Sequence, residues 1–335
     1  MRFPIATLIL LGFSTFSARA ECIGTNLLDT MPAEQRAQID AAVSNVPFAR
    51  GFMWLARKGD QKITIVGTYH FPDPRHQKTM LRILPALRDA AVLYVEAGPE
   101  EEAKLTTALE RDPDLMVDAR GPTLPERLND KEWQALSEAM AARGMPAAVT
   151  SRLRPWYVSM MLGISPCMMT QMQKGMDDGL DQLLVEKAQE MNIPVASLEP
   201  WDTVFTLFDD LTPEQEIGMI RTSLPVANHA DDYGVTLGDA YFDGDIWAIW
   251  EFGRFDAYRN SEMGREEVDS MLNMAQVQMM DRRNQSWIAP LTKAAADAAR
   301  RGKSVVAGFG ALHLPGENGV LRLLEKQGWT IAPLR

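Results

Sequence analysis

The sequence predicts an α/β fold: a mixed β-sheet core with paired Gly-x-x-His strand-turn motifs and a large helical insertion. Three observations predict it. KITIVGTYHF (62–71) and KSVVAGFGALHL (303–314) each drive a β-branched apolar run into a glycine and then present a histidine. AAVLYVE and IPVASLE are short apolar runs that close on Glu96 and Glu199. The stretches between these runs carry a helical period, so strands and helices interleave along the chain.

The chain opens on Arg2, the apolar run PIATLILLGF and the small-residue ending Ala18-Arg19-Ala20. These are the three regions of a secretory leader cut after Ala20, which predicts a periplasmic or secreted protein starting at Glu21. FMWLAR and KITIVG flank the polar turn KGDQK, so the mature domain should begin with a β-hairpin that feeds His70. A helix around Gln77–Asp89, interrupted by Pro85, leads to the strand AAVLYVE. Residues 100–180 read as helical, with Asn129 or Asp130 capping a helix whose Trp133, Leu136 and Met140 share one face. GLDQLLVEKAQEMN is a helix and IPVASLE a strand. Thr212-Pro213-Glu214-Gln215 is a capping box with proline at the first helical position. The chain is then helical and aromatic from about 230 to 300, before KSVVAGFG, a helix from roughly Gly319 to Lys326 and a last strand WTIAPL. No low-complexity tract or long Gly/Ser linker intervenes, so residues 21–335 read as one domain with helical insertions at about 100–180 and 205–300.

The 335 residues carry a net charge of −11, and the leader removes two arginines, Arg2 and Arg19, with no acid. That balance argues against nucleic acid or an anionic membrane as partner. No later segment approaches the roughly 18 uninterrupted apolar residues of a membrane helix, so no membrane insertion is expected after leader cleavage. The two cysteines, Cys22 and Cys167, would pair in an oxidising compartment and pin the mature N-terminus to the middle of the chain; two independent thiols are the alternative.

Four strands thus end on ionisable residues: His70, Glu96, Glu199 and His313. In a sheet with parallel strands, ligands gather beyond the carboxyl ends, so these groups converge if the strands share a direction. Gly67 and Gly310 would allow a sharp turn or a close backbone approach. Two imidazoles with one or two carboxylates suit a divalent ion, zinc, manganese, cobalt or ferrous iron, and a carboxylate left over can take a proton from activated water. Of the other histidines, His76 reads as an auxiliary ligand or a loop or helix-start residue, and His229 sits in a polar loop. The methionines crowded around Cys167 read as flexible core filler ahead of a cuprous site.

The residues resemble the TraB/GumN family, which includes PrgY and is related to the Tiki proteases. The matching pieces are Gly67-Thr68-Tyr69-His70, Glu96, Gly179-Leu180-Asp181, Ser197-Leu198-Glu199, Ala240-Tyr241 with Gly244-Asp245, Arg283-Asn284, and Gly310-Ala311-Leu312-His313-Leu314-Pro315-Gly316 followed by Gly319. The resemblance implies a two-part α/β core with His70, His313 and Glu96 at its active centre and, by the Tiki branch, metal-dependent peptide hydrolysis. It also marks Arg283 and Asn284 as donors for a carbonyl oxygen or its oxyanion. The second strand departs from the first in one respect, the extra Gly308, which should loosen its turn. The function expected is a periplasmic metal-dependent hydrolase of peptide, amide or ester bonds, with Glu96 or Glu199 as base. The alternative is a non-catalytic periplasmic protein that binds haem, a metal or a peptide, as the related ChaN proteins bind haem.

Overall fold

The computed structural model describes residues 22–173, 178–261 and 263–334, so the predicted leader and Glu21 lie outside the described residues. Its centre is a six-stranded mixed sheet in the order β4-β3-β5-β2-β1-β6. The strands are β1 (Met53–Lys58), β2 (Gln61–Thr68), β3 (Ala90–Val95), β4 (Val195–Ser197), β5 (Ser304–Gly310) and β6 (Thr330–Pro333). β1 and β2 form the expected antiparallel hairpin, and β6 pairs antiparallel with β1 at the edge. β2, β5, β3 and β4 are all parallel.

Burial on both faces explains the composition of the central strands. Ile63, Ile65 and Val66 of β2 and Val305, Val306 and Ala307 of β5 have no solvent exposure, the pattern of parallel strands covered on each side. The helix His76–Asp89 covers the sheet with Ile83 and Leu87 and tolerates Pro85 within it. The helix Leu180–Glu190 brings Leu180 and Leu184, and Arg282–Ala299 brings Trp287 and Leu291, into the same core. The helix Arg282–Ala299 is therefore part of the sheet's own covering, and the second helical insertion ends before it.

The two halves implied by the resemblance are joined in one sheet, because β5 inserts between β2 and β3. Helices of the first insertion pack with Pro213–Ala227 into a separate cluster built on Leu136, Met140, Val158 and Ile220. Met161 and Met169 contribute to that cluster, in keeping with core filling. The capping box at Thr212 forms as expected with Gln215, and of the two candidate caps Asn129 is the one used, in a capping box with Glu132. Cys22 and Cys167 are disulfide-bonded, with Cα atoms 5.7 Å apart. The bridge holds the N-terminal segment beside the helix Ala230–Asp243, where the backbone N–H of Leu27 donates to Thr236 Oγ1 at 2.8 Å. Among the described residues no helix is long and apolar enough to cross a membrane.

Candidate functional site

The register sets the carboxyl ends of the four parallel strands level. Thr68 of β2 pairs with Gly310 of β5, and Val95 of β3 pairs with both Gly308 of β5 and Ser197 of β4. His70, the loop residues around His313, Glu96 and Glu199 therefore leave the sheet side by side along one edge.

Neither motif glycine has a positive φ. Space is their reason. A Cβ on Gly67 would lie 2.6 Å from Leu314 Cδ1 and 2.9 Å from Ala311 Cα, so this glycine lets the two motif turns touch. A Cβ on Gly310 would point between the site residues, 3.3 Å from His70 Nε2, 3.4 Å from Glu96 Oε1 and 3.6 Å from His313 Cδ2. The three groups that the sequence singled out thus surround one point. Gly308 does not loosen the second turn: it makes room for Leu184 of the helix Leu180–Glu190, whose Cδ1 would be 2.8 Å from an added Cβ.

Each histidine has its Nδ1 committed. Asp181 Oδ1 lies 3.1 Å from His70 Nδ1. Gly179 makes that contact reachable, because a Cβ there would fall 2.4 Å from the His70 carbonyl oxygen, and Leu180 N–H donates to the Tyr69 carbonyl at 3.0 Å. On the other side, Asn284 Oδ1 lies 2.6 Å from His313 Nδ1 while the Asn284 amide nitrogen donates to the Asn318 carbonyl at 3.0 Å. The amide can offer only its oxygen to the ring, so His313 carries its hydrogen on Nδ1 and its lone pair on Nε2. Asn284, expected as a donor to a substrate oxyanion, is buried, holds the Asn318 carbonyl with one amide hydrogen and orients His313 through its oxygen.

Arg283 is the hub of the site. Its Nε and Nη2 donate to Glu199 at 2.6 and 2.9 Å, Nη2 donates to Glu96 Oε2 at 2.6 Å, and Nη1 reaches the Met279 carbonyl at 2.9 Å and His313 Nε2 at 3.3 Å. Glu199 also accepts from Trp287 Nε1 at 3.0 Å and its side chain is only 9 % exposed. Both oxygens of Glu199 are therefore engaged, and it serves as the counter-ion of Arg283 in place of the general base expected of it. Glu96 accepts the Gly310 N–H at 2.7 Å through Oε1, which stands 3.8 Å from His313 Nε2.

These contacts pull the two histidines apart electrostatically. Burial drives His313 down to about 4, and the Glu96 charge only partly opposes it while Arg283 and His70 add to it. Burial also pushes His70 down, but Asp181 and Glu96 outweigh it and lift the ring to about 9. His70 has 56 % of its side chain accessible, so water screens part of that pull. Burial raises Glu96, yet His313, Arg283, His70 and the Gly310 N–H overcome it and hold the carboxyl at about 2.

The remaining histidines stand apart. His76 is the first residue of its helix, buried, with Nε2 on the Phe71 carbonyl at 2.9 Å, and is structural. His229 is exposed before the helix Ala230–Asp243 and takes no part in the site. Among the described residues, the only group of three or more potential ligands lying within 4.8 Å of one another is Cys22, Cys167 and Asp231, whose sulfurs are joined in the disulfide and cannot act as thiolates. Asp181 was legible as part of the motif Gly179-Leu180-Asp181, but its hold on His70 was not, because it depends on how the helix docks.

A family model described as the TraB/PrgY/gumN family matches residues 52–333, which take in all six strands and every residue of this site. No curated protein matches the chain.

Proposed function

The chain belongs to the TraB/PrgY/gumN family, and from that premise we propose that it is a periplasmic metal-dependent hydrolase of peptide, amide or ester bonds. The observation that carries the reading is the convergence on Gly310: His70 Nε2, Glu96 Oε1 and the His313 ring all approach the point where a side chain would begin. The donor chemistry fits a divalent ion, zinc, manganese, cobalt or ferrous iron. Two imidazoles whose Nδ1 atoms are held by Asp181 and Asn284 present Nε2, as metal-binding histidines do when a second partner fixes the ring. Glu96, which stays ionised, supplies the oxygen. Bound there, a divalent ion supplies Lewis acidity and makes water acidic enough to ionise near neutral pH.

The chain's own residues would do the rest. Arg283 Nη1, which bonds the Met279 carbonyl and His313 Nε2 here, would be released from the ring when His313 gives its lone pair to an ion and could then stabilise negative charge growing on a substrate oxygen, while Glu199 restrains the guanidinium from behind. The exposed side of His70 would admit substrate and water. The leader read in the sequence and the Cys22–Cys167 bridge support export to an oxidising compartment.

The test is cleavage of a peptide library by the mature chain supplied with each of the four metals in turn. Metal-stimulated cleavage that disappears in Glu96→Gln and His313→Ala supports the reading. No cleavage with any metal, together with a Soret band on haem addition that the same histidine replacement abolishes, would favour the binding role.

A further inference from the structure

We propose that Arg283 is a tethered cation that competes with a divalent ion for Glu96 and His313, so that the chain itself lowers the affinity of its metal site. This rests on the reading of the site as a metal centre.

The guanidinium holds the atoms an ion would need. Its Nη2 is 2.6 Å from Glu96 Oε2, and its Nη1 is 3.3 Å from His313 Nε2, the nitrogen that Asn284 leaves with the lone pair. An arriving ion must take that lone pair from an N–H donor and settle beside a fixed positive charge. Glu199 restrains the arginine from behind through two bonds, and the Trp287 ring lies 5.2 Å from its centre. The ligand atoms of His70, His313 and Glu96 are not within 4.8 Å of one another, so binding requires them to draw together and Arg283 to yield.

There is room for it to yield. A cleft of about 250 Å³ lies against Arg283 and Glu199, lined also by Thr203, Gln278 and Arg282. Arg283 lies two residues past a π-helical turn, Val277–Asp281, a local widening of the helix that often marks functional sites.

The experiment is calorimetric titration of the mature, metal-stripped chain with zinc chloride and with manganese chloride. Wild type is compared with Arg283→Met and with the double variant Arg283→Met/Glu199→Gln. The double variant leaves no charged Glu199 without its counter-ion, while Glu96 keeps the Gly310 N–H in both variants, so it guards against misfolding, and it removes Glu199 as a substitute ligand. Near-ultraviolet circular dichroism checks the packing around Trp287 in each. Both variants should bind the same number of ions as wild type with affinity higher by about tenfold or more, the scale on which partners of metal ligands act. Unchanged or weaker affinity in the double variant overturns the proposal, even if the single variant tightens, since Glu199 would then account for the gain. Absence of binding in wild type and in both variants rejects the metal reading itself, and this proposal with it.

Discussion

Asn284 Oδ1 and His313 Nδ1 are 2.6 Å apart, and because Asn284 donates through its nitrogen to Asn318, this contact fixes which ring nitrogen faces the site. The two residues lie on different elements, the helix Arg282–Ala299 and the turn after β5, so the helix sets the tautomer of a histidine delivered by the sheet. Nitrogen-15 correlation spectra should show His313 with its hydrogen on Nδ1. Asn284→Ala should scramble that preference and cost about 1–3 kcal/mol, the penalty of a buried donor left without an acceptor. Spectra showing the hydrogen on Nε2 in the wild type would contradict the assignment.

The two motif glycines should respond oppositely to alanine. Gly67→Ala forces a methyl against Leu314 and the Ala311 backbone and should destabilise the fold by about 1–3 kcal/mol in denaturant titrations. Gly310→Ala meets only site side chains at 3.3–3.6 Å, so it should leave the unfolding midpoint close to wild type while blocking ligand binding. Equal losses of stability in the two variants would show that Gly310 serves the turn and not the site.

The metal-free protein should be most stable near pH 6.5. His313, neutral when folded down to about 4, contributes stability that is full above its unfolded value of 6.5 and is lost as pH falls through about 4. Glu96 adds a second loss on the acid side as pH falls from 4.5 through about 2. His70 acts the other way: its contribution is full below 6.5 and is lost as pH rises through about 9, damped by its exposure. Denaturant midpoints measured across pH 2–10 check this, and Asp181→Asn should flatten the alkaline limb by letting the His70 value fall. An unchanged alkaline limb in that variant would show that Asp181 does not hold the proton on His70.

Cys22→Ser/Cys167→Ser should lower stability by about 2–4 kcal/mol, the usual worth of a bridge closing a long loop. Hydrogen exchange should rise first in residues 22–31, whose remaining ties to the helix Ala230–Asp243 are a few bonds such as Leu27 N–H to Thr236. Protection unchanged there would show that those bonds suffice without the bridge.

Much of the architecture was legible because a parallel strand buried on both faces writes itself as an apolar run. The runs before His70 and His313 were of this kind, while the one before Glu96 is half-buried at Ala91, Val92 and Tyr94 and was read from its apolar length. The strand before Glu199 is only three residues long, and its assignment rested on its neighbours. The convergence of His70, Glu96 and His313 followed once strand direction was assumed. The roles of Glu199, Asn284 and Asp181 did not follow, because each depends on a helix docked against the strand ends: Trp287 and Arg283 engage Glu199 from one helix, and Asp181 reaches His70 from another. Gly308 misled for the same reason, since its spacing looks like turn chemistry while its cause is Leu184 on a neighbouring helix.

The most direct measurement of the central claim is metal binding by the mature, chelator-stripped chain, followed calorimetrically beside a His70→Ala/His313→Ala variant. One divalent ion bound per chain in the wild type and none at this site in the variant is the result expected of a centre built by two imidazoles and Glu96. Equal binding by the two proteins would contradict it.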